Sequence, residues 1–271
     1  MTAQRLFHLY TPCNDDSVAA ERCVVLLHGL LGNAKNLSAV GRALADTHHV
    51  YAFDLPNHGR SPHHAKMTFA TMADDVLYSL AQLGLERFKL LGHSLGGKVA
   101  MQIALQGAQR VSQLVVADIA PVAYPPSHGA IFAALESIDL QQCQSRAQVV
   151  EQLAAQLGDQ GISQFLAQNL EREDGSFRWR LNLAAIRANY AELIAGLSSQ
   201  SAEASQLMSS YGGPSLFIAG ADSDYILPEH EAATRALFPA FSYRAIAGAG
   251  HWLHAEKPQI FNRVVVDFFN Q

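Results

Sequence analysis

Short, mainly apolar runs recur along the chain at Cys23 to Leu27, Val50 to Phe53, Phe88 to Leu91, Leu114 to Ala117, Ser215 to Ala219 and Ser242 to Ile246. Runs of this length with no regular polar face predict strands packed on both sides. Between and after them the apolar spacing becomes helical, over Asn36 to Asp46, Thr68 to Leu83, Gly97 to Gln106, Glu229 to Phe238 and Pro258 to Asn270. Strands alternating with helices predict an α/β fold whose mostly parallel central sheet is flanked by helices on both faces.

Between Asp118 and Ser215 that rhythm stops. Nearly one hundred residues pass in helical, Gln- and Ala-rich segments with no convincing strand. Pro125-Pro126, within Pro121 to Gly129, marks the exit from the sheet, and Tyr211-Gly212-Gly213-Pro214 marks the return. The expected organisation is a single domain, 1–271, with a helical cap inserted at 122–210. Such a cap hangs over the carboxyl ends of the strands, where open α/β sheets place their ligands.

Composition narrows the function more than the fold. With 49% apolar and 16% charged residues the chain reads as a well-packed globular protein. A net charge of −5 provides no basic footprint for nucleic acid and no polybasic anchor for an acidic membrane. Cys13, Cys23 and Cys143 lie in no zinc-like or redox spacing. The first ten residues lack the apolar core of a signal peptide, and no stretch has the length of a membrane span. The expectation is a cytoplasmic protein that acts on a small molecule without cofactor or metal, and without nucleic-acid or membrane partners.

Candidate chemistry centres on Gly92-His93-Ser94-Leu95-Gly96, directly after a strand pattern and before a helical one. A serine in this frame and context forms a nucleophile elbow, a turn so sharp that bulk is excluded at both glycines. A serine hydroxyl is nearly inert at neutral pH and needs a histidine to take its proton, with an acid to orient that histidine. His251, in Gly248-Ala249-Gly250-His251-Trp252 between the last strand and the last helix, is the best-placed base. His48, His49, His63 and His64 fall in loop-like sequence and read as exposed, and His254 reads as a packing or capping residue.

For the acid, Asp118 closes the strand that follows the nucleophile's helix and can reach the imidazole from the neighbouring strand tip. Asp222 and Asp224 are the alternatives, with Ser223 between them as a fourth member of the network. The backbone N–H groups of Leu30, after His28-Gly29, and of Leu95 are candidate oxyanion donors. The stretch from Asp54 to Ser61 reads as a turn in which Asp54 and Arg60 hold loops together. Gly96-Gly97-Lys98 is not a phosphate-binding loop, because the required upstream spacing is missing.

With these residues assembled, the chain resembles the α/β-hydrolase superfamily over nearly its whole length, and more narrowly the YbfF-type bacterial esterases. The resemblance rests on His28-Gly29-Leu30-Leu31-Gly32, on Gly92 to Lys98, on Asp118-Ile119-Ala120-Pro121-Val122 and on Gly248 to Pro258. The third segment discriminates best, because that group takes its acid from this strand and carries a serine where Ser223 stands. The resemblance implies Ser94, Asp118 and His251 as catalytic residues, with Ser223 assisting. Asp222 and Asp224 are a departure from the pattern, and they keep the acid open. The implied activity is that of a cofactor-free serine esterase or thioesterase on short to medium acyl esters, acyl-coenzyme A included. A carbon–carbon bond hydrolase or lyase with the same triad is the alternative. Ile131, Phe132, Leu135 and Phe165 are the cap candidates for an acyl pocket.

Overall fold

A computed structural model describes residues 3–15, 17–19, 22–197 and 210–271. The first part of the core runs β1 (His8–Thr11), β2 (Cys23–Leu27), α1 (Ser38–Leu44), β3 (His49–Phe53), α2 (Phe69–Gln82), β4 (Phe88–His93), α3 (Leu95–Gln106) and β5 (Val111–Ala117). The chain then leaves the sheet for α4 (Gly129–Ser137), α5 (Arg146–Leu157), α6 (Gln160–Ala167), β6 (Leu170–Glu173), β7 (Ser176–Trp179), α7 (Leu183–Ala188) and α8 (Tyr190–Leu193). It returns as β8 (Ser215–Gly220), α9 (Glu231–Leu237), β9 (Phe241–Ile246), α10 (Leu253–Glu256) and α11 (Pro258–Phe269).

The seven-stranded sheet has the order β1-β3-β2-β4-β5-β8-β9. Every neighbouring pair is parallel except β1 with β3. Because successive side chains on a strand point to opposite faces, one run of apolar residues supplies two cores. Val25, Leu27, Leu90, Val116 and Phe217 face α2 and α3 on one side. Val24, Leu26, Leu91, Val115 and Ile218 face α1 and α11 on the other. This explains why β2 and β8 are buried at every position and carry no polar stripe.

The structure corrects the sequence-based expectations at several points. β1 was not anticipated, because its alternation of His8 and Tyr10 with Leu9 and Thr11 is too polar for a buried run. It pairs along the outer edge of β3, with His8 opposite Phe53. The segment expected to lack strands contains the antiparallel hairpin β6–β7. Its turn is Asp174-Gly175, both at positive φ (50° and 87°), a hairpin signal that the charged flanks Glu171, Arg172, Glu173 and Arg178 obscured. The helix expected from Asn36 starts as a 3₁₀ turn, Ala34–Leu37, capped by Asn33. His48 is buried, and His64 lies 3.1 Å from the Asp75 carboxylate, so neither is the exposed loop histidine expected.

After β5 the chain at Pro121 to Tyr124 is paired with Ile194 to Leu197. Tyr124 N–H donates to Ile194 O (2.9 Å) and Leu197 N–H to Pro121 O (3.1 Å). Lys98, buried in the first turns of α3, donates to Ala195 O at 2.6 Å and also to Val122 O. Burial pushes its ammonium pKa down to about 7, and the Phe69 and Tyr124 rings face the cation. Residues 198–209 of the expected cap lie outside the described residues.

Candidate active site

Ser94 sits at the junction of β4 and α3 with φ of 52°, a conformation that costs a non-glycine residue energy and persists because its neighbours over-determine it. Ser94 N–H donates to Ala117 O at the tip of β5 (3.0 Å). A Cβ on Gly92 would overlap the Gly96 carbonyl, and one on Gly96 would overlap the Leu27 carbonyl. Beneath the elbow His93 Nε2 donates to the His251 carbonyl (2.8 Å), so the residue beside the serine also holds the loop that carries the imidazole.

His251 Nε2 lies 3.0 Å from Ser94 Oγ, and its Nδ1 lies 2.8 Å from Asp118 Oδ2. Asp118 follows β5 and also has positive φ, 51°. Its carboxylate is fully buried, an arrangement that requires donors on both oxygens. Oδ1 accepts from Gly220 N–H (2.9 Å), and Oδ2 accepts from Ser223 Oγ (2.5 Å) as well as from His251. The structure thus brings Ser94, His251, Asp118 and Ser223 together, and leaves Asp222 and Asp224 exposed on either side of Ser223. Tyr225, which the sequence did not single out, stacks on the His251 ring at 3.9 Å between centroids. Tyr124 Oη fixes the Tyr225 backbone by donating to its carbonyl, and accepts from Ala120 N–H (2.8 Å).

The loop after β2 is held by its peptide groups. Leu31, at φ 58°, gives its N–H to His58 Nε2 (3.1 Å), while its carbonyl accepts from Asn169 Nδ2 (2.7 Å). Gly32 N–H turns back to Gly29 O (3.0 Å). Leu30 N–H and Leu95 N–H are left without a hydrogen-bond partner among the described residues, and both residues border the space beside Ser94. Asn169→Ala is expected to lower kcat on a short ester about tenfold with KM little changed, since a loosened Leu31 peptide misaims the Leu30 amide. Steady-state kinetics check this, and an unchanged kcat would show that the loop does not need the tie.

The Asp54 to Ser61 stretch braces the same loop. Asp54 Oδ1 accepts from Ala34 N–H (2.7 Å) and Oδ2 from Arg60 N–H (2.9 Å), whereas the Arg60 side chain lies over the Phe7 ring. His58 Nδ1 donates to Pro56 O (2.9 Å), which leaves Nε2 as the acceptor for Leu31. Burial lowers His28 to a pKa of about 4 and His58 to about 3. His48 and His254 are likewise lowered to about 4 by burial. These histidines stay neutral in the folded protein down to about pH 4, whereas the unfolded chain takes up their protons below 6.5. Their contribution is therefore complete above pH 6.5 and is lost as pH falls toward 4, each at up to roughly 1.4 kcal/mol per pH unit. The thermal midpoint is expected to drop steeply over that window, and His58→Gln to make the drop shallower. A midpoint flat between pH 6.5 and 4 would contradict neutral burial.

Two small cavities meet at Ser94, Leu30 and His128. One, of about 50 Å³, is closed by Ile131, Ile162, Phe165 and Leu166 from the segment between β5 and β8, together with Trp252. The other, of about 40 Å³, runs beside Leu95 toward Lys98, Tyr124 and Tyr225. Of the four expected pocket residues, Ile131 and Phe165 line the first cavity. Phe132 and Leu135 lie three apart on α4 and share the face that packs inward, with Phe132 against the Tyr190 ring (5.3 Å). No cluster of three or more His, Cys, Asp or Glu able to hold a metal occurs among the described residues, and no described helix is long and apolar enough to cross a membrane.

The α/β hydrolase fold family model matches residues 22–258. The chain belongs to that family. It is 38% identical over 261 residues to the mouse sn-1-specific diacylglycerol lipase ABHD11, covering 93% of this chain and 82% of that one. It is 33% identical to the esterase YbfF of Escherichia coli K12, over 91% of this chain and 92% of the relative. Among solved structures, a marine microorganism esterase superposes with a TM-score of 0.90 at 33% identity, covering 98% of this α/β-hydrolase and all of the other chain.

Proposed function

We propose that this hydrolase, of the esterase and lipase type, cleaves short to medium acyl esters and thioesters through an acyl-enzyme on Ser94. The observation that carries the reading is the continuous chain from Ser94 Oγ through His251 to the buried Asp118 carboxylate. His251 Nε2 takes the Ser94 proton as Oγ attacks the acyl carbon, and the carbonyl π electrons move onto oxygen. The N–H groups of Leu30 and Leu95 stabilise that oxyanion, a contribution of roughly 3 kcal/mol for each donor. The protonated His251 then gives its proton to the departing alcohol or thiol. Water, deprotonated by the same nitrogen, releases the acid and restores Ser94.

Asp118 holds His251 with Nδ1 protonated, and Ser223 and Gly220 N–H hold Asp118, so Ser223 is a positioning residue in this scheme. The segment between β5 and β8 acts as the cap, with Ile131 and Phe165 against the substrate. Small cavities on either side of Ser94 favour short acyl groups. The experiment is a fluorophosphonate label with mass mapping, joined to a panel of acyl esters, acyl-coenzyme A thioesters and vinylogous diketones. Labelling of Ser94 with turnover of short esters is expected. Labelling with turnover of the diketones alone would replace the ester reading by carbon–carbon bond hydrolysis, and no labelling would remove Ser94 as nucleophile.

A further inference from the structure

Away from Ser94, a cavity of about 280 Å³ opens where the core meets the segment between β5 and β8. Its wall carries Lys35, Arg60, Arg146 and Arg180, with Asp54 and the Phe7 ring. Four cations around one cavity are unusual in a chain whose net charge is −5. Two carboxylates lie beside them. Glu171 pairs with Arg180 (2.7 Å), while Asp54, whose oxygens both accept backbone N–H groups, leaves one negative charge against the three remaining cations. Arg146 donates to Ala167 O (2.7 Å) and Leu170 O (3.0 Å), which fixes its guanidinium without neutralising it. Among the described residues no carboxylate pairs with the side chain of Lys35, Arg60 or Arg146.

The cavity also has a position that matters. Asn36 lines the small cavity above Ser94, Gln168 lines the cationic one, and the two side chains join at 2.8 Å. A hydrogen bond between side chains therefore links a wall of the candidate active site to a wall of the cationic pocket. Arginine forks and a lysine ammonium match phosphate oxygens in charge and geometry.

We propose that this cavity binds a phosphate group, carried by the leaving alcohol or thiol of the substrate. This rests on the ester-hydrolase reading for the origin of the phosphate, but the binding of the anion does not. The acyl end lies at Ser94, and the leaving group extends past the Asn36–Gln168 pair to the pocket lined by Lys35 and Arg60. A free phosphate compound has the same chemistry, and the experiment separates the two sources.

Calorimetry first measures inorganic pyrophosphate binding to the wild-type protein, Arg60→Gln, Lys35→Gln and Arg263→Gln, with thermal midpoints confirming folding. Arg263 is a highly exposed arginine on α11 that does not line the pocket, so its variant removes the same charge without touching the pocket wall. The expected result is binding to wild type and Arg263→Gln, weakened on the order of tenfold in Arg60→Gln and Lys35→Gln. Kinetics then use acyl esters whose alcohol ends in phosphate at increasing linker length, each beside its unphosphorylated counterpart. A KM lowered about tenfold by phosphate at one range of linker lengths, and restored by Arg60→Gln, supports the substrate as source. Pyrophosphate binding without that KM difference assigns the pocket to a free phosphate compound and overturns the leaving-group proposal. No pyrophosphate binding, or equal weakening in Arg263→Gln, overturns the site itself. Hydrolysis of the unphosphorylated esters by wild type reports separately on the ester-hydrolase reading.

Discussion

Ser94→Ala is expected to lower kcat on a short acyl ester by about a millionfold, the scale seen when a serine nucleophile is removed. The loss is this large because, without Oγ, His251 has no nucleophile to deprotonate and no acyl-enzyme can form. Alanine keeps the Cβ and the backbone, so the Ala117 hydrogen bond and the packing of α3 should survive. KM should change little, since the hydroxyl contributes few ground-state contacts. The measurement is steady-state turnover with a fluorophosphonate titration to count active sites. Activity within tenfold of wild type would take Ser94 out of the chemistry.

Asp118→Asn is expected to cost about ten-thousandfold in kcat, because an amide facing Nδ1 selects the wrong imidazole tautomer. Its shape matches the carboxylate, so Ser223 and Gly220 can still be accommodated and the thermal midpoint reports the fold. The decisive comparison is with Asp222→Asn and Asp224→Asn. Both side chains are exposed and have no hydrogen bond to His251, so activity should remain within about twofold of wild type. Ser223→Ala should fall between, since Asp118 keeps Gly220 N–H on its other oxygen. A collapse in Asp224→Asn with a mild Asp118→Asn would move the acid to the loop after β8.

The elements that position Ser94 were legible because they are buried on two faces and cannot carry polar residues. β2, β4, β5 and β8 appear as apolar runs, and the glycines of the elbow are present because backbone lies where a Cβ would sit. His251 and Asp118 were legible by position, at the ends of strands that converge on the serine. Less was visible where stability comes from partners distant in sequence. β6 and β7 are half-exposed and charged, and only Asp174-Gly175 announced their turn. Nothing local in the sequence reveals that Asn169 ties Leu31 across 138 positions, or that Tyr225 lies flat on His251. The burial of His48, just before β3, is likewise invisible in a loop-like pair of histidines.

Lys98 and the paired backbone at Pro121, Tyr124, Ile194 and Leu197 give the chain an unusual economy of attachment. The peptide that leaves the sheet after β5 comes back within hydrogen-bonding distance of its own point of departure. Everything between is a detour with adjacent doors, so its length and shape can change without moving the end of β5. On the proposed reading of this segment as the cap, exchanging residues 122–196 between relatives while keeping Asn169 and its tie to Leu31 is expected to alter which esters are cleaved, with Lys98 re-forming the seam.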